Sequence, residues 1–570
     1  MDNAGYARIF DEIADLLEIR GENPFRVRAY RNAARTVEGL AEPLDELAAQ
    51  GEQALVALPG IGHDLALKIL EIARTGRLAF LDRLHDEVPA TLAELLRVPG
   101  LGPKRVRLLW KKLGVTTLDD LEEALAADRL AGLEGFGPTL IDKVRRGLAE
   151  RREHARRVRL DVADRVAASL VDRLSRGRRG IEIVVAGSLR RRRDTVGDLD
   201  VLATGSTRGL ITRFTELDDV SEVLAAGQTR ASVVLASGLQ VDLRVVPRAS
   251  FGSALQYFTG SKEHSIVLRR RAQERELKLN EYGVFRGARR VAGRTEEEVY
   301  AALDLPWIPP ELRENRGEIE AAAAGDLPEL VTLDDIRGDL QMHTDWSDGE
   351  ASIEQMARAA RDLGHEYIAI TDHGPTVRVT GGLDAQRLAR QAKEIDAVNE
   401  RLDGIRVLKG VETDILEDGS LDLPDATLSR LDYVLATVHT RMTMSRREMT
   451  RRIARALRHP LVTALGHPTG RLIGRRAPYE VDFDEIVRVA AGEGKLLEID
   501  GHPERLDLDD VHARKAAEAG VSIVISTDAH RPADLELIRY GVDQARRAWL
   551  SAAQVANTRS LKEFLALIRR

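Results

Sequence analysis

The stretch "VVAGSLRRRRDTVGDLDVLATG", Val184 to Gly205, decides how the middle of this chain is built. Two β-branched apolar runs flank a Gly-Ser turn, and an Asp-x-Asp pair stands at the head of the second run. Side chains alternate along a strand, so Asp198 and Asp200 project from one face. Two carboxylates on one face repel each other unless a divalent cation joins them. Phosphoryl transfer needs such cations to activate the attacking oxygen and to neutralise the leaving one. Gly187 and Ser188 set backbone amides where a triphosphate could rest. Further on, "GLQVDLRVVP" from Gly238 offers Asp242 on the face opposite Leu239, Val241 and Leu243. Asp-x-Asp alone is common and usually solvated. Gly187-Ser188, then Gly197-Asp198-x-Asp200, then a later inward aspartate is a far more specific pattern.

Outward from this stretch, a chain of 570 residues exceeds one core and implies several units. With 43% hydrophobic and 31% charged residues the composition is that of an ordinary folded protein. No apolar run approaches the length of a bilayer span, and the acidic, amphipathic start "MDNAGYARIFDEIADLL" is unlike a signal peptide, so no membrane association and a cytoplasmic location are expected. Cysteine is absent, which excludes disulfides, thiolate metal sites and a thiol nucleophile. Any metal must be held by His, Asp and Glu. The net charge of −7 says nothing for nucleic acid, although residues 151–200 hold 14 arginines against 8 acidic residues. The run Arg190 to Arg193 reads first as a solvated face, and charge alone adds little to a phosphate-binding reading.

Residues 1–150 read as helical, with 3.6-period apolar spacing broken by Gly and Pro. A short repeat recurs in "LPGIGHDLALKI" (58–69), "VPGLGPKRVRLL" (98–109) and "LEGFGPTLIDKV" (133–144). Gly60 and Gly62, Gly100 and Gly102, and Gly135 and Gly137 each precede a helix. A helix N-terminus presents free N–H groups, and missing side chains admit a phosphate without regard to base identity. Three such hairpins point to a non-specific grip on a DNA backbone; the third, with Glu134 and Phe136, fits the pattern least well.

From Arg337 onward short apolar strands alternate with amphipathic helices, as in a parallel α/β barrel or a doubly wound sheet. Histidines and acids fall just past the apolar runs: His343 and Asp348 in "RGDLQMHTDWSDG", His373 in "YIAITDHG", Glu412 in "VLKGVETDI", His439 in "YVLATVHT", His467 in "VTALGHPTG", and Asp528 and His530 in "VSIVISTDAH". A lone histidine after a strand is usually a capping or packing residue. The C-terminal ends of parallel strands converge on one face, however, and so many His, Asp and Glu there imply a metal centre.

On these residues the chain resembles the family X DNA polymerases, the group of polymerase beta. The Gly-Ser turn, the Gly-Asp-x-Asp and the Val-Asp-Leu-Arg match that family's nucleotidyltransferase palm, and "LQYFTGSKEHSIVLRRRA" (255–272) matches its thumb. The resemblance implies that Asp198, Asp200 and Asp242 bind two magnesium ions, with Asp242 also receiving the primer 3′-hydroxyl proton. It implies further that Gly187, Ser188 and Arg191 hold the incoming triphosphate, and that Tyr257, Phe258 and Gly260 line its sugar and base. Two departures are visible. Arg192 stands where the family often has glycine, which is expected to stiffen or widen the phosphate loop, and Ser265 replaces a base-contacting asparagine. "NPFRVRAYRNAARTVEGL" (23–40) with the first hairpin resembles the family's lyase-type domain, whose Schiff-base lysine corresponds to Lys68. Asp64, one turn earlier, stabilises the charged amine, which favours a phosphate-gripping role for Lys68.

From Gly338 to nearly the C-terminus the chain resembles the polymerase and histidinol phosphatase (PHP) domain. That family builds a (β/α)7 barrel holding up to three divalent ions on nine residues. Eight match, and the ninth position is Gln341, a neutral amide and a weaker ligand than imidazole. The resemblance implies two to three manganese or zinc ions and phosphoester hydrolysis: 3′→5′ exonuclease, abasic-site cleavage and 3′-phosphate removal.

The expected architecture is therefore multidomain, α+β and α/β, with a helical helix-hairpin-helix N-terminal region, a polymerase beta-like palm and thumb, and a C-terminal (β/α)7 PHP barrel. The boundaries read as 1–88 for the lyase-type domain, 89–150 for fingers, 151–250 for the palm, 251–316 for the thumb, 317–336 for a linker and 337–570 for the barrel. The expected partners are gapped or primer-template DNA and dNTPs, with the chain acting as a monomer. Two other readings stand beside this one: a DNA-end binding polymerase whose barrel is structural or weakly active, and a small-molecule phosphoesterase resembling histidinol phosphatase.

Overall fold

The structure is a computed structural model that describes residues 3–569 apart from 39, 41–43, 90, 97, 378 and 379. The chain divides into two compact units, residues 1–155 with 376–380, and residues 156–375 with 381–570. No helix among the described residues is long and apolar enough to cross a membrane.

The first unit is helical. Its core gathers one face from each of several amphipathic helices, with Phe10, Tyr30, Leu65, Ile69, Val106, Leu109 and Leu121 all buried. Each Gly-x-Gly turn has one geometry. Gly60, Gly100 and Gly135 take φ of +79°, +97° and +82°, a conformation that favours glycine. Ile61, Leu101 and Phe136 then close the turn with backbone bonds to Leu58, Val98 and Leu133 at 3.1, 3.0 and 3.1 Å. The third hairpin thus folds like the other two despite its different side chains. Gly62 and Gly102 are the N-caps of His63–Thr75 and Pro103–Leu113.

In the second unit a five-stranded sheet runs Ile181–Val185, Asp198–Gly205, Gln240–Val245, Arg230–Leu235, Val220–Ala226 in spatial order. The two central strands are parallel and set Asp200 directly beside Asp242. Leu199, Val201, Val241 and Leu243 bury the face opposite these aspartates. On the aspartates' own side the far half of the strand is covered, because Leu202 packs under Phe251, Ala254 and Leu255 of the helix Phe251–Thr259. Only the end carrying Asp198 and Asp200 stays open. Beyond it, the helix Lys262–Gln273 and a small antiparallel sheet form a separate core. Residues 317–336 carry the helix Glu318–Ala324, whose Glu318 and Ile319 are buried, and Val331 donates its N–H to the Leu550 carbonyl at 2.9 Å.

The C-terminal part is a seven-stranded parallel sheet in sequential order from Gly338–Asp339 to Ile523–Ser526. A parallel bridge from Met342 to Ala529 joins its two edges and brings the sheet round on itself. Tyr367–Ile370, Tyr433–Thr437 and Leu496–Asp500 are buried along their whole length, the mark of parallel strands covered on both faces. Most of the surrounding helices start on a Ser or Asp whose side chain accepts an N–H of the first turn: Ser352, Asp384, Ser445, Asp482 and Asp509. One end of the barrel is filled by Leu340, Ala369, Leu408, Leu435 and Ala464 under Phe564, which stacks on Tyr367 at 5.2 Å. Burying a side chain such as Phe564 contributes about 1.5–3 kcal/mol.

Candidate active sites

The palm site is built where Asp198 and Asp200 leave the turn. Ser232 Oγ donates to Asp242 Oδ1, and Gln240 Nε2 donates to its Oδ2 at 3.1 Å, so both oxygens of Asp242 are held in place. Burial, with the Asp198 and Asp242 carboxylates beside it, pushes Asp200 up to about 7. Desolvation and Asp242 likewise raise Asp198. Asp198 and Asp200 thus resist ionisation beside a third carboxylate, an arrangement that a divalent cation would relieve. Gly187, at φ +63°, sits against it; a Cβ there would stand 2.5 Å from Asp200 Oδ2, so no side chain fits. Gly187 and Ser188 open the short helix Gly187–Arg190.

The four-arginine run turns out not to be a solvated face. Arg190 grips Glu296 with both terminal nitrogens, at 2.8 and 2.7 Å. Buried Arg313 holds the same carboxylate, and the two guanidinium groups overcome burial to keep Glu296 down at about 2. Arg191 donates to the Thr259 carbonyl at 2.6 Å and to Glu314 at 3.1 Å, and Arg193 lies 3.9 Å from Glu314. Arg192 is bonded to Asp164 and Asp543. Tyr257 and Phe258 are half-buried in an edge-to-face pair 5.0 Å apart, and the Arg244 guanidinium lies 4.4 Å over the Phe258 ring. Gly260 has φ +70°, and a Cβ on it would meet Arg191 at 3.2 Å. The Ser265 hydroxyl is buried with no hydrogen-bond partner.

Among the described residues of the first unit nothing lies within 4 Å of a Cβ placed on Gly62, Gly102, Gly135 or Gly137, so open space borders these turns. Gly60 is nearly as open, whereas a Cβ on Gly100 would meet Leu140 at 2.8 Å. Lys68 pairs with Asp64 as the spacing suggested, and its amine lies 5.4 Å over the Phe80 ring.

The barrel brings its histidines and acids together as three overlapping groups. His343, Asp348, His373 and His530 form one, His373, Glu412 and His439 a second, and His343, Glu412 and Asp528 a third; within each, the ligand atoms all lie within 4.8 Å of one another. His467 joins the second through Nε2, 2.9 Å from Glu412 Oε1. Glu412 therefore faces four imidazoles, with His343, His373 and His439 at 3.4, 3.1 and 3.2 Å. Burial opposes the charge, yet these imidazoles hold Glu412 low, and Glu412 with Asp414 lifts His439 to about 10. His530, beside Asp348 and Asp528, rises to about 9. The carboxylates that raise His439 and His530 would equally favour divalent cations, whereas burial lowers His467 to about 4. His343 Nδ1, His373 Nδ1, His467 Nδ1 and Glu412 Oε2 are buried without a hydrogen-bond partner, which fits a set of donors arranged for metal ions. His467 and Asp528 take φ of +28° and +53°, local strain of the kind that collects at functional sites.

Gln341 is fully buried at the third group. With the amide turned so that its nitrogen faces Glu498, it donates to both oxygens there, at 2.7 and 2.8 Å. That orientation leaves its oxygen facing Asp528 Oδ1 at 3.4 Å, two acceptors that a shared cation would reconcile. Burial, with Asp528 and Glu412, pushes Glu498 well above the usual carboxylate range. Arg505 lies beneath, 3.2 Å from Asp500 and 3.4 Å from Asp528.

Several orienting residues escaped the sequence reading. Asp372 accepts from Thr344, Ser347 and Gln391 and so shapes the loop carrying His343 and Asp348. Asp414 accepts the His439 N–H at 3.0 Å. Asp339, Glu498, Asp500 and Asp507 are wholly buried. A usable signal existed: Asp414 and Glu498 each lie two residues along a strand from another inward polar group, and Asp339 stands two residues before buried Gln341.

A nucleotidyltransferase palm with an aspartate triad, joined to a seven-stranded parallel barrel with a histidine–carboxylate centre, defines the class. Residues 1–78 match the family described as helix-hairpin-helix domain, 92–150 the SAM-like helix-hairpin-helix tandem, 254–314 the DNA polymerase beta thumb and 339–502 the PHP domain. The chain is 40% identical to the DNA polymerase/3′-5′ exonuclease PolX of Bacillus subtilis, over 99% of this chain and 98% of that protein. It is 27% identical to DNA polymerase lambda of Rattus norvegicus over 53% of this chain and 54% of the relative. A probable phosphatase of Acetivibrio thermocellus is 32% identical over 32% of this chain and 73% of that protein. The chain belongs to the bacterial family X DNA polymerases that carry a C-terminal PHP domain.

Proposed function

We propose that this chain fills short gaps in DNA with its palm and trims or unblocks 3′ ends with its barrel, acting as a monomer on gapped or primer-template DNA. The observation that carries the polymerase reading is the pairing of Asp200 with Asp242 beside Asp198, with Asp200 raised to about 7. Asp198, Asp200 and Asp242 would hold magnesium, and the barrel cluster would hold two or three manganese or zinc ions. Bound there, such ions promote attack by a hydroxyl or water and stabilise the charge that develops on phosphorus. The chain's own groups do the rest. Asp242, fixed by Ser232 and Gln240, takes the proton of the primer 3′-hydroxyl. The amides at Gly187 and Ser188 and the Arg191 guanidinium receive the triphosphate, for which Arg191 must give up part of its bonding to Thr259 and Glu314. Tyr257, Phe258 and Gly260 form the wall for sugar and base. The three hairpins, with Lys68, grip backbone phosphates.

In the barrel, the nine residues from Gln341 to His530 surround the scissile phosphate's position, and Asp372 and Asp414 keep the loop and His439 in register. The likeness of this region to a probable phosphatase favours 3′-phosphate removal alongside exonuclease and abasic-site cleavage. Residues 1–88, 89–150, 151–250, 251–316, 317–336 and 337–570 are the functional segments of this reading.

Primer extension on a one-nucleotide gap with magnesium tests it. Wild type should extend and Asp200→Ala should not; no extension by wild type, or undiminished extension by the variant, refutes the polymerase reading. With manganese, a 5′-labelled strand should shorten from its 3′ end, and His530→Ala should leave it intact. Equal digestion by both would remove the barrel from the reaction.

A further inference from the structure

The phosphate loop of the palm is clasped by the barrel. Arg192 has φ +56°, a backbone conformation that side chains rarely adopt, and its guanidinium explains how the chain tolerates it. Two nitrogens meet the two oxygens of Asp164, each at 2.7 Å, in the fork geometry that arginine alone provides. Nε reaches Asp543 Oδ2 at 2.8 Å. Asp164 belongs to the palm helix Leu160–Ser175, but Asp543 belongs to the barrel helix Ile538–Arg547. Tyr540 of that same helix lies 5.9 Å from the guanidinium.

The neighbouring contacts repeat the arrangement. Arg547, 3% exposed, donates to the Arg191 carbonyl at 2.6 Å and to Glu314 at 3.0 Å, and so shares Glu314 with the Arg191 side chain. Its other terminal nitrogen is fixed by Asp510 at 2.6 Å. Three residues on, Arg471 of a barrel loop meets Asp194 at 3.2 Å. The segment between Gly187 and Asp198 is thus pinned from the barrel at Arg191, Arg192 and Asp194, and from the thumb at Arg190 and Arg191.

We propose that the barrel, independently of its metal cluster, positions the palm's triphosphate loop through Arg192, making Arg192 and Asp543 positioning residues for nucleotide addition. A loop fixed before the nucleotide arrives holds the Gly187 and Ser188 amides and the Arg191 backbone in place, so less order must be imposed on binding. The inference rests on the polymerase reading for its kinetic consequence, but the clasp itself is observable without it.

The test uses the full chain. Asp543→Asn takes the negative charge out of the barrel's half of the clasp, at a position outside the aspartate triad. Arg192→Gly accepts the same φ with no strain but cannot bridge. In single-nucleotide gap filling, each variant should raise KM for the nucleotide by about tenfold, the scale of one charge-assisted bond, with kcat within about twofold. The double variant should be no worse than the poorer single. Hydrogen exchange in peptides spanning 187–194 should quicken in both variants while the barrel strands stay protected. Gap-DNA affinity and manganese-dependent phosphoesterase rate should not move in Asp543→Asn. If Arg192→Gly matches wild type in KM and in exchange, the arginine serves only its own backbone and the proposal is wrong. Additive KM effects in the double variant would also overturn it. Faster exchange in a chain that never extends a primer would leave the clasp standing and refute the polymerase reading.

Discussion

Replacing Gln341 by histidine tests whether the third group of barrel residues is a working metal position. Gln341 is wholly buried, with its nitrogen spent on Glu498 and its oxygen turned to Asp528. Histidine has nearly the same volume, so the barrel should accept it without repacking. One ring nitrogen can keep the bond to Glu498, which fixes the tautomer and orients the other toward Asp528 and His343. Exchanging an amide oxygen for an imidazole should strengthen manganese or zinc binding there by about 10- to 100-fold, or about 1.4–2.8 kcal/mol. The assay is metal content per chain after equilibration at limiting manganese, read beside the phosphoesterase rate. Wild type should lose its most weakly held ion first. Gln341→His should retain it and reach half-maximal rate at a lower manganese concentration. Identical metal content and identical manganese dependence would show that position 341 does not face an ion.

Glu412→Gln should remove about two ions per chain, because Glu412 belongs to two of the three groups and touches four histidines; elemental analysis reads this directly. Asp200→Asn should abolish extension while stabilising the magnesium-free protein above pH 7. The folded pKa of about 7 lies above the unfolded value of 3.8, so the ionised triad is a penalty that grows from pH 4 to 7 and is complete above it. The gain in melting temperature should therefore appear at pH 8 and vanish at pH 4. His365 is buried, neither ring nitrogen has a partner, and burial lowers it to about 4. As pH falls below 6.5 the unfolded chain gains a proton that the folded barrel refuses, a loss of about 2 kcal/mol by pH 5. His365→Leu should flatten the acid limb of the barrel's unfolding curve, and an unchanged limb would show that His365 is not what the acid attacks.

The fold's outline was legible because its signals are local. The Gly-x-Gly turns, the Asp-x-Asp strand and the histidines after apolar runs each depend on residues within a dozen positions of one another. Even the third hairpin, with Glu134 and Phe136, keeps the turn, since the left-handed glycine and the helix behind it set the geometry. Less was legible where elements are very short: the strands Gly338–Asp339 and Ala464–Leu465 have no period to read and exist because the neighbours in the barrel pair with them.

The arginine run shows most plainly why the remainder was hidden. Four adjacent arginines have one appearance in sequence, and composition assigns them together to solvent or to phosphate. In the structure they part company: Arg190 goes to Glu296, Arg191 to Glu314 and Thr259, and Arg192 to Asp164 and Asp543. Each partner lies between 28 and 351 positions away, a separation at which no periodicity survives. The buried acids Asp339, Asp414 and Glu498 carry a local signal, the two-residue spacing to another polar group, but it separates inward from solvated carboxylates only once the strand is placed. Charges whose partners are local can be inferred from spacing, whereas charges whose partners are distant carry the domain architecture. For that reason, the residues that tie the palm to the barrel were the ones a sequence reading assigned to solvent.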